Sequence, residues 1–336
     1  MRIGLIGAGR IGTFHATTLS RHRDVGSLIV TDVDPARAHA LADRLGETAA
    51  PGVDEIFTWG VDAVVITAAT AAHAELISRA ARSGLPVFCE KPIAADLPGT
   101  LAALAEVDAA GTVLQMGFQR RFDVGYSTAR ETVRAGKLGR LHTIRALTAD
   151  PAPPPPGYLP LSGGLYRDCL VHDFDMVRWV TGREVAEVYA SGSDAGGPMY
   201  REAHDVDTAA AVLTLDDGTL AMAGATRVNG AGYDVRMELA GERDTIAVGL
   251  DDRTPITSTE PAGPPPADKP WTGFLERFGP AYQAELAAFV EVVRGERANP
   301  CDGGEALGAL RVAEACELSR RERRPVQLGE IPGIPG

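Results

Sequence analysis

Short, mostly apolar runs at residues 3–6, 27–32, 61–67, 86–89 and 113–116 alternate with helical stretches. The helical stretches run to about residue 21, then cover 36–45, 71–83 and 97–109. Runs this short and apolar on both faces predict buried strands, and strands separated by helices predict a parallel sheet with right-handed crossovers. The pattern changes after Phe118. A helix at 126–135 and a strand at 141–149 lead into Asp150-Pro-Ala-Pro-Pro-Pro-Pro-Gly157, which can be neither helix nor central strand. A long helix is expected over 165–180, with Gly182 as its stop. Strand-like runs follow at 185–191, 208–215, 220–228, 235–240 and 245–249. Turns such as Asp216-Asp217-Gly218 separate them, and the arrangement reads as an antiparallel meander. A second proline-rich loop at 260–267 precedes two closing helices, 282–294 and 304–319. The pattern therefore predicts a doubly wound α/β domain over 1–118. An α+β domain with a largely antiparallel open sheet is expected over 119–336.

A chain of 336 residues exceeds what one core usually serves, which agrees with two domains. Its net charge is −12 and its basic residues are scattered, so no basic face is expected to meet nucleic acid. No stretch approaches the ~20 apolar residues that cross a bilayer. The apolar start, Met1 to Gly7, runs straight into glycines and Arg10 and reads as a first strand rather than a signal peptide. Cys89, Cys169, Cys301 and Cys316 lie far apart and read as reduced thiols, so the expected compartment is the cytoplasm.

Gly7-Ala8-Gly9-Arg10-Ile11-Gly12 follows the first strand and opens a helix. Glycines there let the backbone approach a pyrophosphate, which the helix N-terminal N–H groups then face. Asp32 ends the second strand about 20 residues after Gly12, at the place where an acid accepts hydrogen bonds from the ribose hydroxyls. A carboxylate there repels a 2′-phosphate and favours NAD over NADP. Glu90-Lys91-Pro92 ends the strand at 86–89, the edge where open α/β sheets bind ligands. Lysine occurs only at 91, 137 and 269, and Lys91 is the one so placed. Asp168, His172 and Asp175 recur at helical spacing and are expected on one face of the 165–180 helix. A histidine beside a carboxylate suits acid–base work, and the set is too poor in nitrogen and sulfur to predict a metal site.

These motifs resemble the glucose–fructose oxidoreductase, inositol dehydrogenase and rhizopine-catabolism superfamily over essentially the whole chain. The marks are the glycine loop, Cys89-Glu90-Lys91-Pro92, Gly117-Phe118-Gln119-Arg120-Arg121-Phe122-Asp123, the run from Gly163 to Met176, and Gly232-Tyr233-Asp234. The arginine pair, the proline loop and the Asp-x₃-His spacing resemble the inositol 2-dehydrogenase branch. The resemblance implies a Rossmann domain that binds NAD, and oxidation of a secondary alcohol on a polyol, a sugar or cyclitol. It implies Lys91, Asp168 and His172 as the catalytic group, with Arg120 and Tyr233 also near substrate. It implies cofactor contacts from Gly7, Gly9, Arg10, Ile11, Gly12, Asp32, Thr67, Ala68, Ala69, His73, Glu90, Lys91 and Gln119. It further implies a homo-oligomer, expected as a tetramer. Two alternatives stay open at this point: another sugar as substrate, and a dinucleotide-binding regulator without turnover.

Overall fold

The computed structural model describes residues 1–333. The chain divides into two units, and each is described by itself.

The first unit begins as predicted, with β1 (Arg2–Ile6), α1 (Arg10–Leu19), β2 (Ser27–Thr31) and α2 (Pro35–Leu45). Asp34 caps α2 by accepting the Ala36 N–H, Pro35 occupies its first turn, and Gly46 ends it in the left-handed conformation. The sequence pattern omits a two-residue strand, β3 (Thr48–Ala49), and a short helix, α3 (Val53–Thr58). Both are too short to show a period. Then come β4 (Ala63–Ile66), α4 (Thr70–Arg82), β5 (Val87–Glu90), α5 (Leu97–Ala110) and β6 (Leu114–Gly117). The six strands are all parallel, in the order β3-β2-β1-β4-β5-β6. Chain direction across the sheet reverses between β1 and β4, so the loops after these two strands flank the crevice where doubly wound sheets take ligands.

The second unit holds α6 (Val124–Arg134), β7 (Leu141–Ala149), the short α7 (Leu159–Ser162), α8 (Val171–Thr181) and β8 (Val185–Ser193). It continues through α9 (Pro198–Glu202), β9 (Thr208–Leu215), β10 (Leu220–Thr226), β11 (Asp234–Gly241) and β12 (Thr245–Val248). The chain closes with α10 (Phe274–Val293), α11 (Gly303–Glu322) and β13 (Val326–Gln327). The sheet runs β12-β11-β7-β10-β9-β8-β13. It is mostly antiparallel but not the simple meander expected, because β7 lies between β10 and β11 and runs parallel to β10. The register explains the choice. Ile144 and Ala146 of β7 fall beside Ala221 and Ala223 of β10, and all four are buried on one face.

The first unit draws on two stretches of the chain. Residues 280–307 belong to the first unit. Leu286, Phe289 and Val290 of α10 join Ile3, Leu5, Val30 and Phe88 in one buried cluster, so a segment remote in sequence completes the first core.

Candidate active site

In the first unit, the three glycines of the loop do different work. Gly7 has φ +109°, and a Cβ on it would lie 2.6 Å from the Ala68 nitrogen. A Cβ on Gly12 would lie 1.9 Å from the Gly7 oxygen. Protein packing alone demands glycine at both positions. Gly9 differs, because a Cβ there would meet nothing within 4 Å and its φ of −71° suits any residue. Its lack of a side chain serves nothing inside the protein and fits the close approach of a ligand. Gly9 is also the N-cap of α1, and no side chain caps that helix, which suits an anion. Arg10 is exposed and Ile11 half-buried beside it.

Asp32 faces the same loop. Its Oδ2 accepts the Ala8 N–H at 2.6 Å and its Oδ1 accepts the Asp34 N–H at 2.9 Å. The carboxylate is thus aimed and held by backbone donors. Thr67, at the end of β4, donates from its hydroxyl to the Gly7 oxygen at 2.7 Å and ties the two loops of the crevice together. Ala68 is half-buried and Ala69 exposed beyond it. His73 is buried, with Nδ1 2.7 Å from the Pro92 oxygen and Nε2 3.0 Å from the Ala68 oxygen. It joins the loop after β4 to the loop that follows Lys91.

Glu90 is committed to a partner that the sequence pattern does not reveal. Its Oε1 lies 2.7 Å from Nε2 of His15, a fully buried residue of α1. Gly117, opposite Glu90 on β6, makes room, since a Cβ there would fall 2.9 Å from Oε2. Lys91 follows, half-buried, with a cis peptide to Pro92. Gln119 is buried, and its Oε1 has no hydrogen-bond partner among the described residues, an acceptor left for a donor from outside the chain.

In the second unit, the helix expected over 165–180 is present and continuous, with a π-helical turn near its start. A π-helical turn, Tyr166–Leu170, carries Asp168, and α8 begins only at Val171. Turns of this kind are uncommon and concentrate at functional positions. Asp175, expected beside Asp168 and His172, is instead buried against Arg121, with bonds of 3.0 and 2.5 Å to Nε and Nη2. His172 stays half-buried in the first turn of α8.

Both oxygens of Asp168 are engaged. The Tyr158 hydroxyl, from the proline-rich loop, donates to Oδ1 at 2.9 Å. Arg227, just beyond β10, donates from Nη1 to Oδ2 at 3.0 Å. Burial and the Asp168 charge push the Tyr158 phenol well above its usual range, so it remains a donor. Neither Tyr158 nor Arg227 belongs to the motifs. An arginine directly after an apolar strand is the one sequence signal either offers.

Arg120 lies in the interior, with a side chain 2% exposed. It donates to Asp173 at 2.9 Å and to the Thr148 hydroxyl at 2.8 Å, and Thr148 donates in turn to Asp173 at 2.7 Å. Asp173 is the residue after His172, so Arg120 bears on the turn that carries the histidine. Tyr233 is buried, its N–H bonded to the Trp271 oxygen at 2.7 Å, and burial lifts its phenol above the usual range. No cluster of His, Cys, Asp and Glu able to hold a metal ion occurs among the described residues. No helix among them is long and apolar enough to cross a membrane.

The glycine loop with its aimed acid defines a dinucleotide-binding class, and comparison with known proteins makes it specific. Residues 1–118 match the oxidoreductase family with an NAD-binding Rossmann fold, and residues 126–247 match the GFO/IDH/MocA C-terminal domain. The chain is 38% identical to the myo-inositol dehydrogenase Hyg17 of Streptomyces leeuwenhoekii, with 100% of each chain covered. It is 36% identical to the myo-inositol 2-dehydrogenase of Thermotoga maritima, over 99% of this chain and 100% of that one. Its fold superimposes with a TM-score of 0.87 on scyllo-inositol dehydrogenase from Lactobacillus casei solved with NAD(H) and scyllo-inositol. The two share 28% identity and cover 98% and 99% of their chains. The chain belongs to the GFO/IDH/MocA oxidoreductase family. It is an NAD-dependent oxidoreductase acting on CH–OH groups.

Proposed function

We propose that this protein is a cyclitol dehydrogenase that oxidises a ring hydroxyl of myo-inositol or an isomer to the 2-keto inosose. The observation that carries the reading is full-length similarity to inositol dehydrogenases in a chain that also bears Lys91, Asp168 and His172 at the motif positions.

NAD, when bound, supplies the hydride acceptor. His172 takes the proton of the substrate hydroxyl as general base. Lys91 donates a hydrogen bond to the same oxygen and stabilises the negative charge that develops there. Asp168 orients His172 or binds a neighbouring hydroxyl. The alcohol thereby loses one proton and one hydride and becomes a ketone. Asp32, held by two backbone donors, receives the ribose hydroxyls. No disulfide joins the four cysteines, which suits a reducing compartment, the cytoplasm.

We further propose a homo-oligomer, a tetramer in the family's manner. On the open face of the second sheet, Tyr189, Val212 and Met222 line up across β8, β9 and β10, each 38–48% exposed. An apolar row of this kind calls for a covering surface.

The test is formation of reduced nicotinamide with NAD and, separately, NADP, over myo-, scyllo- and chiro-inositol and common aldoses. Turnover of one inositol with NAD is expected. Turnover of aldoses alone would reassign the substrate. Lys91→Met is expected to abolish turnover and leave NAD binding intact, whereas a regulator would have no turnover to lose.

A further inference from the structure

Asp168 is nearly buried, its side chain 12% exposed, and a carboxylate so placed needs a partner. Arg227 is that partner, with a side chain only 2% exposed. Its guanidinium lies between two acids, Nη1 at 3.0 Å from Asp168 and Nη2 at 3.5 Å from Asp205. Asp205 is fastened in turn. Its Oδ1 accepts the N–H of Leu165, the residue that leads into the π-helical turn, at 2.9 Å. The residue before it, His204, holds a φ of 55°, a left-handed conformation that residues other than glycine adopt only at a cost. The Arg227 N–H bonds the Asp207 oxygen at 2.8 Å, which anchors the arginine to the same segment.

From this arrangement we infer that Arg227 is a positioning residue for the reaction, acting through Asp168. It holds the π-helical turn at Asp168 by a direct hydrogen bond, while Asp205, 3.5 Å from the other arm, adds charge without a hydrogen bond. A buried guanidinium that donates from Nη1 fixes one carboxylate oxygen in place by a charge-assisted hydrogen bond. Tyr158 holds the other carboxylate oxygen from the exposed side, so Asp168 is aimed before any substrate arrives. Burial disfavours the arginine cation, but the charges of Asp168 and Asp205 more than offset this, and Arg227 stays charged. Pre-aiming matters because a misplacement of about 1 Å in a catalytic group costs on the order of a hundredfold in rate. The inference rests on the dehydrogenase reading, in which Asp168 belongs to the catalytic group.

The test compares Arg227→Lys, Arg227→Met and Asp205→Asn with the unaltered enzyme. The readouts are kcat, KM for the alcohol, the NAD dissociation constant and the thermal midpoint. Lysine keeps the charge but loses the second arm, and kcat is expected to fall about tenfold. Methionine is expected to lower kcat about a hundredfold. In both variants the loss should fall on kcat, with the NAD dissociation constant within about twofold. Asp205→Asn keeps its bond to Leu165 and should leave kcat within about threefold. If Arg227→Met does not fold, Arg227→Lys decides the matter. Turnover within about twofold of the unaltered enzyme for Arg227→Lys overturns the inference. So does an equal loss in Asp205→Asn, which would reduce Arg227 to support of the fold. An unaltered enzyme silent on every alcohol of the panel sinks the dehydrogenase reading instead.

Discussion

The imidazole of His15 in α1 and the carboxylate of Glu90 at the end of β5 meet at 2.7 Å, 75 residues apart in the chain. The pair fixes the residue before Lys91 to the helix that opens with the glycine loop. Glu90, expected from the resemblance to touch the cofactor, is held in place through its Oε1 by this contact.

Removing the histidine leaves a nearly buried carboxylate without its donor. His15→Leu is expected to destabilise the protein by about 1–3 kcal/mol in urea unfolding. An unchanged midpoint would show that the pair contributes nothing to stability. Glu90→Gln, which keeps a neutral hydrogen bond, should lose less.

The loop glycines should separate folding from binding. Gly12→Ala places a methyl 1.9 Å from the Gly7 oxygen and is expected to lower the melting temperature. Gly9→Ala meets no protein atom within 4 Å and should fold normally. It is nevertheless expected to weaken NAD at least about tenfold, because the methyl occupies the path of the pyrophosphate. Calorimetric titration with NAD checks this, and unimpaired binding would refute the assignment of Gly9.

Arg120 and Asp173 form a pair with side-chain exposures of 2% and 0%. Arg120→Met strands a buried carboxylate and is expected to cost about 3–5 kcal/mol in denaturant unfolding. Pairing that change with Asp173→Leu should recover part of the loss. If the double variant is no better than the single, the stranded charge is not the cause.

Val212 sits mid-row on the open sheet face, 47% exposed, between Tyr189 and Met222. Val212→Glu puts a charge into that apolar row. Light scattering is expected to show a smaller species than the unaltered protein forms. A monomer in both would refute the oligomer.

How much of this was legible in the sequence depended on how local each determinant is. The parallel strands of the first unit announced themselves as apolar runs, because a strand buried on both faces has no polar positions to spare. The glycine loop and Asp32 were equally legible, since a tight turn and an acid at a strand end are set by neighbouring residues. Lys91, Asp168 and His172 are expected from motifs, which name positions without naming their partners.

Tertiary structure decided what depends on residues distant in the chain. The place of β7 between β10 and β11 follows from matched buried faces, not from the order of strands. The contribution of Leu286, Phe289 and Val290 to the first core was invisible, because an amphipathic helix does not state which face it will meet. Asp175 is buried against Arg121, 54 residues away, a partner that helical spacing does not name. Arg227 lies 59 residues from Asp168, and a pattern read along the chain carries no sign of that meeting. Local periodicity determines which elements form. A buried charge takes whichever opposite charge the fold delivers to it, and only folding selects that partner.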